Sequence, residues 1–165
     1  MPRSLYILAC LLLVFVALAP CQTTPPNEYF GIGAGFSNAS SVQGKWTGQG
    51  FYERQISADP DLFSYTEYDA LAQNRKPFAV QTSMRTGIDY RCFQVQIGAR
   101  KIYSFVGVDA GAGSTGQNVD LSFSGRGLVL IPFNAKLGFY IGVNGLKNSA
   151  TDPAVLWKAG FLYFR

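Results

Sequence analysis

Seven charged side chains stand out because their spacing puts them on one side of alternating segments. Arg85, Asp89 and Arg91 share one face of a single segment, and Asp109, Asp120, Arg126 and Lys158 fall on the same side of its neighbours. Mixed charges gathered this way can do one of two things. They can form a charged constriction in a pore, or they can pair with one another and plug a narrow interior, where an unpaired charge would be costly. The near balance of signs favours the plug. Catalytic readings are limited from the start, because the chain has no histidine. That excludes a histidine base, a Ser–His–Asp arrangement and any His-ligated metal. Paired carboxylates could serve as acid and base. However, Asp59 with Asp61, and Glu67 with Asp69, fall in turn-like or weakly patterned stretches. Gly31-x-Gly33-x-Gly35 lacks the preceding strand, following helix and later acidic residue of a dinucleotide loop, so it reads as small residues in a strand. Asn38-Ala39-Ser40 matches a glycosylation acceptor, which matters only in a eukaryotic host. Cys92, a lone cysteine at a segment end, reads as inert. The sequence implies no enzyme activity, no cofactor and no metal.

The elements that must position these charges have a period of two, the strand period. Lys136–Lys147 sets Leu137, Phe139, Ile141 and Val143 against Gly138, Tyr140, Gly142 and Asn144. Val80–Tyr90 sets Val80, Thr82, Met84, Thr86, Ile88 and Tyr90 against the face with Arg85 and Asp89. Val106, Val108, Ala110 and Ala112 oppose Gly107, Asp109, Gly111 and Gly113, and Val119, Leu121 and Phe123 oppose Asp120, Ser122, Ser124 and Arg126. Trp157, Ala159, Phe161 and Tyr163 oppose Lys158 and Gly160. The first strand, Tyr29–Asn38, sets Phe30, Ile32, Ala34 and Phe36 against three glycines. Two less regular strands are expected over Lys45–Ile56 and Leu62–Ala72, with Ala39–Gln73 the least patterned stretch. Turn residues separate the segments at 59–61, 74–77, 114–118, 132–134 and 148–153, and Arg75-Lys76 and Arg100-Lys101 read as turns. The sum is about eight antiparallel strands, the smallest common closed barrel. Closure removes the edges that so many apolar strands would otherwise expose.

The N-terminus reads as an export signal. Arg3 precedes an apolar run from Leu5 to Ala19 that is short for a membrane helix and suits a secretory core. Cleavage is expected after Ala19-Pro20-Cys21, which gives residues 1–21 as signal peptide, 22–28 as an unstructured lead-in and 29–165 as the barrel. A lipid-modified Cys21 is the alternative, and Pro20 departs from the small residue it needs. With Cys10 in the leader and Cys21 at the cut, no disulfide framework follows. Net charge is +4, including Arg3. That bias, with no basic run, gives no case for nucleic acid.

Composition bears on which face meets what. Charged residues are 15% of the chain, against roughly 25% in average soluble domains, while aromatics are 15% and there are 18 glycines. The polar faces carry glycine, serine and single charges rather than the lysine and glutamate of a watery exterior. The opposite faces are β-branched and aromatic, as a lipid-facing band is. The outward set is expected to include Leu137, Phe139, Ile141, Val143, Trp157 and Phe161. Interfacial girdles are expected from Tyr29, Phe78, Tyr90, Tyr103, Phe133, Trp157 and Tyr163. With the leader, the first strand "YFGIGAGF", the segments "MRTGIDYR" and "KLGFYIGVNGL" and the last strand "VLWKAGFLYFR", the chain resembles the small eight-stranded outer-membrane β-barrels of Gram-negative bacteria. The resemblance covers Tyr29–Arg165 in pattern more than in identity. It implies an all-β, up-and-down transmembrane barrel in the cell outer membrane, with both termini periplasmic. It also implies contact with outer-membrane lipid and with the outer-membrane assembly machinery, and a role in envelope structure or surface interaction with no extracellular partner specified. Membrane-barrel enzymes, as a class, rely on histidine. The family usually ends on an aromatic residue; here Phe164 is penultimate, before Arg165. Two alternatives stay open, a secreted or periplasmic lipocalin-like barrel holding a small apolar ligand and a narrow, porin-like pore.

Overall fold

The computed structural model describes residues 27–37, 46–56, 59–73, 79–98, 100–115, 118–148 and 154–165. The expected leader and most of the lead-in lie outside them. The alternating segments form eight strands: β1 (Glu28–Ser37), β2 (Trp46–Gln55), β3 (Leu62–Gln73), β4 (Ala79–Ile97), β5 (Arg100–Thr115), β6 (Asn118–Pro132), β7 (Leu137–Asn148) and β8 (Ala154–Phe164). Each pairs antiparallel with the next, and β1 also pairs with β8, so the sheet closes into a barrel. Every strand is then hydrogen-bonded to a strand on each side, β4 to β3 as far as Tyr90. The weakly patterned stretch does supply two strands, β2 and β3.

Period two sorts the side chains into two environments. Ile32, Val108, Val119, Leu121, Ile141 and Trp157 point outward and are exposed, Ile32 to 71% and Val119 to 75%. Charged and hydroxyl side chains on the alternate positions are buried inside. This is the reverse of a soluble barrel, whose apolar face turns inward.

The start of β1 and the end of β8, here the termini end, share one end of the barrel with the connections after β2, β4 and β6. After β2, Asp59 Oδ1 accepts from the Asp61 amide at 2.8 Å. After β6, Asn134 Oδ1 accepts from the amides of Lys136 and Leu137, both at 2.8 Å, a side chain standing in for the missing backbone partner. Between β4 and β5 the chain reverses at Gly98, whose φ of +62° suits glycine. Arg100 and Lys101 therefore lie on β5 rather than in a turn. β4 runs seven residues past Tyr90, with a bulge at Cys92 between Arg91 and Phe93. The bulge shifts the parity, so that Phe93, Val95 and Ile97 stay on the outer side below Ile88 and Tyr90. The expected turn at 114–118 is tighter, with Ser114 and Thr115 on β5 and Asn118 on β6. Residues 38–45, 74–78, 116–117 and 149–153, which hold most of the other expected loops, lie outside the described residues.

Inside the barrel, glycine makes room for bulk. A Cβ on Gly160 would run into the Ile32 carbonyl oxygen and the Tyr140 ring, whereas one on Gly48, facing outward, would have nothing within 4 Å. Gly160→Val is therefore expected to abolish the compact folded band on an unheated gel, and Gly48→Val to keep it.

Candidate functional site

The interior has two layers. Near the termini, Tyr29, Phe51, Phe63, Tyr103, Phe105, Leu128, Leu130, Leu162 and Phe164 form one buried cluster. Tyr29 makes edge or tilted contacts with Phe51, Phe63, Phe105 and Phe164 at centroid distances of 6.1–6.3 Å, a geometry aromatic pairs prefer. Tyr29 and Tyr103 were expected in an interfacial girdle. They instead point inward and are fully buried, because strand parity places them on the lumen face where a wide cross-section has to be filled. Tyr90, Trp157 and Tyr163 do point outward, Phe133 is half-buried at the β6–β7 turn, and Phe78 lies outside the described residues.

Beyond that aromatic layer lies a network of charges. Glu67, on β3, is its centre. Its carboxylate faces Arg85 on β4 at 2.8 Å and Arg126 on β6 at 3.2 Å, and it also pairs with Lys158 on β8. Asn144 on β7 donates to it at 3.0 Å. Arg126 pairs in addition with Asp89 and Glu53, its Nε lying 2.8 Å and 3.0 Å from the two Asp89 oxygens. Its guanidinium lies 3.4 Å from the centroid of the Tyr65 ring, a cation–π contact. Arg85 also pairs with Asp69 and, at 3.2 Å, with Asp109. Asp109 accepts from Tyr65 Oη and Ser124 Oγ, each at 2.6 Å. Gln49 donates to Tyr140 Oη beside this cluster. Among the described residues, five carboxylates (Glu53, Glu67, Asp69, Asp89, Asp109) and three cations (Arg85, Arg126, Lys158) are buried here. The hydroxyl and amide donors supply part of what the cations do not.

Of the seven charges singled out from spacing, the structure brings Arg85, Asp89, Asp109, Arg126 and Lys158 into this network. Arg91 is separate. It sits at the termini end, where it bonds Asp61 Oδ1 and the Pro60 carbonyl, both at 2.8 Å, and its guanidinium lies over Phe63 and Tyr103. The aromatic layer stands between it and the cluster. Asp120 faces inward at the opposite mouth, two residues before the buried Ser122, and is only half-buried. Sequence reading passed over Glu53 and weighed Glu67 and Asp69 only as a carboxylate pair, not as members of this network. The signal was present, since Glu67 and Asp69 share a parity with Phe63 and Tyr65, but that face of β3 mixes rings with acids and shows no clean contrast. All six residues expected on the outer face, Leu137, Phe139, Ile141, Val143, Trp157 and Phe161, lie on it and are exposed or half-exposed.

Among the described residues the charged side chains of the lumen face one another rather than an open cleft. Arg85, Glu53, Glu67 and the ring side chains are at most a few per cent exposed, and every ion pair described is filled by protein groups. The wall of the barrel is supported from within.

No family model matches the sequence, and no curated protein matches it. Solved structures do resemble it. Neisserial surface protein A (NspA) superposes with a TM-score of 0.62 at 12% identity, covering 84% of this chain and 97% of that one. Ail, the attachment invasion locus protein of Yersinia pestis, crystallised with the heparin analogue sucrose octasulfate, gives 0.51 at 11% identity, covering 85% and 99%. A de novo designed transmembrane β-barrel gives 0.51 at 12% identity, covering 86% and 98%. The chain has the fold of the small eight-stranded outer-membrane β-barrels.

Loss of one cation should expose the network's cost. Arg85→Leu leaves Glu67, Asp69 and Asp109 short of a counter-charge and is expected to lower stability by about 3–5 kcal/mol. Arg91→Leu removes a partly buried pair, its side chains 11% and 41% exposed, and should cost less, about 1–2 kcal/mol. Urea unfolding of the two variants in detergent micelles measures the difference.

Proposed function

We propose that this chain is a non-enzymatic β-barrel of the cell outer membrane, exported by an N-terminal signal, whose role is structural in the envelope or lies in surface interaction. One observation carries the reading, the inverted polarity of the barrel. Apolar side chains cover the outside, while paired charges and packed rings fill the inside. In water this exterior would be a contiguous apolar surface far beyond what soluble proteins tolerate, whereas in a bilayer it is the expected lipid-facing band. The likeness to NspA and Ail, one a surface protein and the other an attachment protein by name, supports the surface role. A lipocalin-like carrier needs an apolar cavity where this chain places Glu67, Arg85 and Arg126. A pore needs a continuous aqueous path where the interior holds Tyr29, Phe63, Phe105 and Phe164.

Membrane fractionation, followed by gels of unheated and boiled detergent extract, tests the proposal. Recovery in the outer membrane and slower migration on boiling are expected. A soluble protein with no shift would exclude it. Ile141→Arg, at an outward position 49% exposed, should then cost about 2–4 kcal/mol if it lies near the bilayer midplane, read as a lower urea midpoint in lipid vesicles.

A further inference from the structure

The outer surface carries one feature that barrel closure does not require. Where β1, β2 and β3 meet, Gly48 and Gly50 present no side chain outward. Phe30, Ile32, Tyr52 and Tyr68 stand around them and bound a groove of about 580 Å³, almost wholly apolar. Packing does not demand these glycines, since a Cβ on Gly48 would meet nothing within 4 Å, and one on Gly50 would meet only the Gly31 carbonyl oxygen, at 3.7 Å.

The groove leads into a belt of rings and then a row of charges. Phe30 and Tyr52 are cross-strand partners with ring centroids 4.8 Å apart. Tyr52 Oη donates to Glu28 at 2.8 Å. Glu28 is the register partner of Arg54 on β2. On its other side the Arg165 amide bonds the Glu28 carbonyl at 3.0 Å, and the Arg165 guanidinium lies 3.6 Å from the Glu28 carboxylate. The Arg165 side chain is 73% exposed and Arg54 is exposed as well. Along the barrel the order is therefore two exposed arginines flanking Glu28, one of them paired with it, then an aromatic belt, then an apolar groove. A phospholipid has the same order, from phosphate through the interface to the acyl chain.

We propose that this face binds one anionic phospholipid, its phosphate at Arg54 and Arg165 and one acyl chain laid over Gly48 and Gly50. The proposal rests on the membrane reading above. Charge favours a lipid over a second copy of the chain, because two-fold docking through this face would bring the arginines toward their own equivalents. The missing side chains let a hydrocarbon chain reach the backbone, and Tyr52, held by Glu28, fixes the wall beside it.

Native mass spectrometry of the detergent-purified protein with added phosphatidylglycerol tests this. The wild type is expected to retain one phosphatidylglycerol in preference to phosphatidylcholine. Gly50→Leu should weaken that retention at least tenfold by filling the groove, and Arg54→Gln should remove most of the preference. Gly145→Leu, at an outward glycine on β7 whose Cβ would meet nothing nearer than 4.0 Å, should match the wild type. Equal retention in all four proteins, or graded adducts without preference, would overturn the site. So would a dimer that Gly50→Leu abolishes, which would assign the groove to a second copy. The heat shift on gels separates the two failures, since its absence in the wild type removes the membrane reading itself, while its presence without selective lipid retention removes only the site.

Discussion

Glu67 ties the interior of this barrel together. Backbone hydrogen bonds join each strand only to its neighbours, but this one carboxylate on β3 engages Arg85 on β4, Arg126 on β6, Asn144 on β7 and Lys158 on β8. Arg126 extends the links to Glu53 on β2 and Asp89 on β4. A ring of eight strands is just wide enough for its own side chains, and taking charges out of water is repaid only when each finds well-placed partners. The positions of the buried residues follow from that constraint. Acids and bases must meet at the axis, and glycines must line the wall wherever a large side chain crosses it.

The two layers of the lumen divide the work. At the termini end, rings and leucines fill the cross-section by packing, and Arg91 covers them from outside, anchored to the β2–β3 turn through Asp61 and Pro60. Farther in, the charged layer fills the space by pairing. Together the two layers fill the described lumen from the termini end to the charged layer.

The exterior is not a featureless hydrocarbon coat. The β4–β5 hairpin carries its apolar stripe past Tyr90 because the Cys92 bulge restores the outward parity of Phe93, Val95 and Ile97. Across the barrel, Gly48 and Gly50 open a groove above a belt of rings and a row of charges. These features arise from single residues set against the prevailing alternation, as bulges and glycines in strands commonly do.

Much of the fold is legible in the chain because a strand writes its environment at period two. Alternation of Leu137, Phe139, Ile141 and Val143 with small or polar residues reports a strand between two media, and eight such segments with short turns report closure. The same alternation placed Arg85, Asp89, Asp109, Arg126 and Lys158 on one side. It could not show which of them meet, because contacts across a lumen join residues as far apart as Glu67 and Lys158, and cross-strand register is set only when the ring closes. For the same reason Arg91 read as a member of the network, although register carries it to the end of the barrel beyond the aromatic layer. Tyr29 and Tyr103 read as girdle residues because aromaticity alone does not say which way a ring faces. Glu67 was hidden on a strand face that mixes acids with rings, where the only contrast that matters is between lumen and outer face, and that contrast exists only once the barrel has an inside.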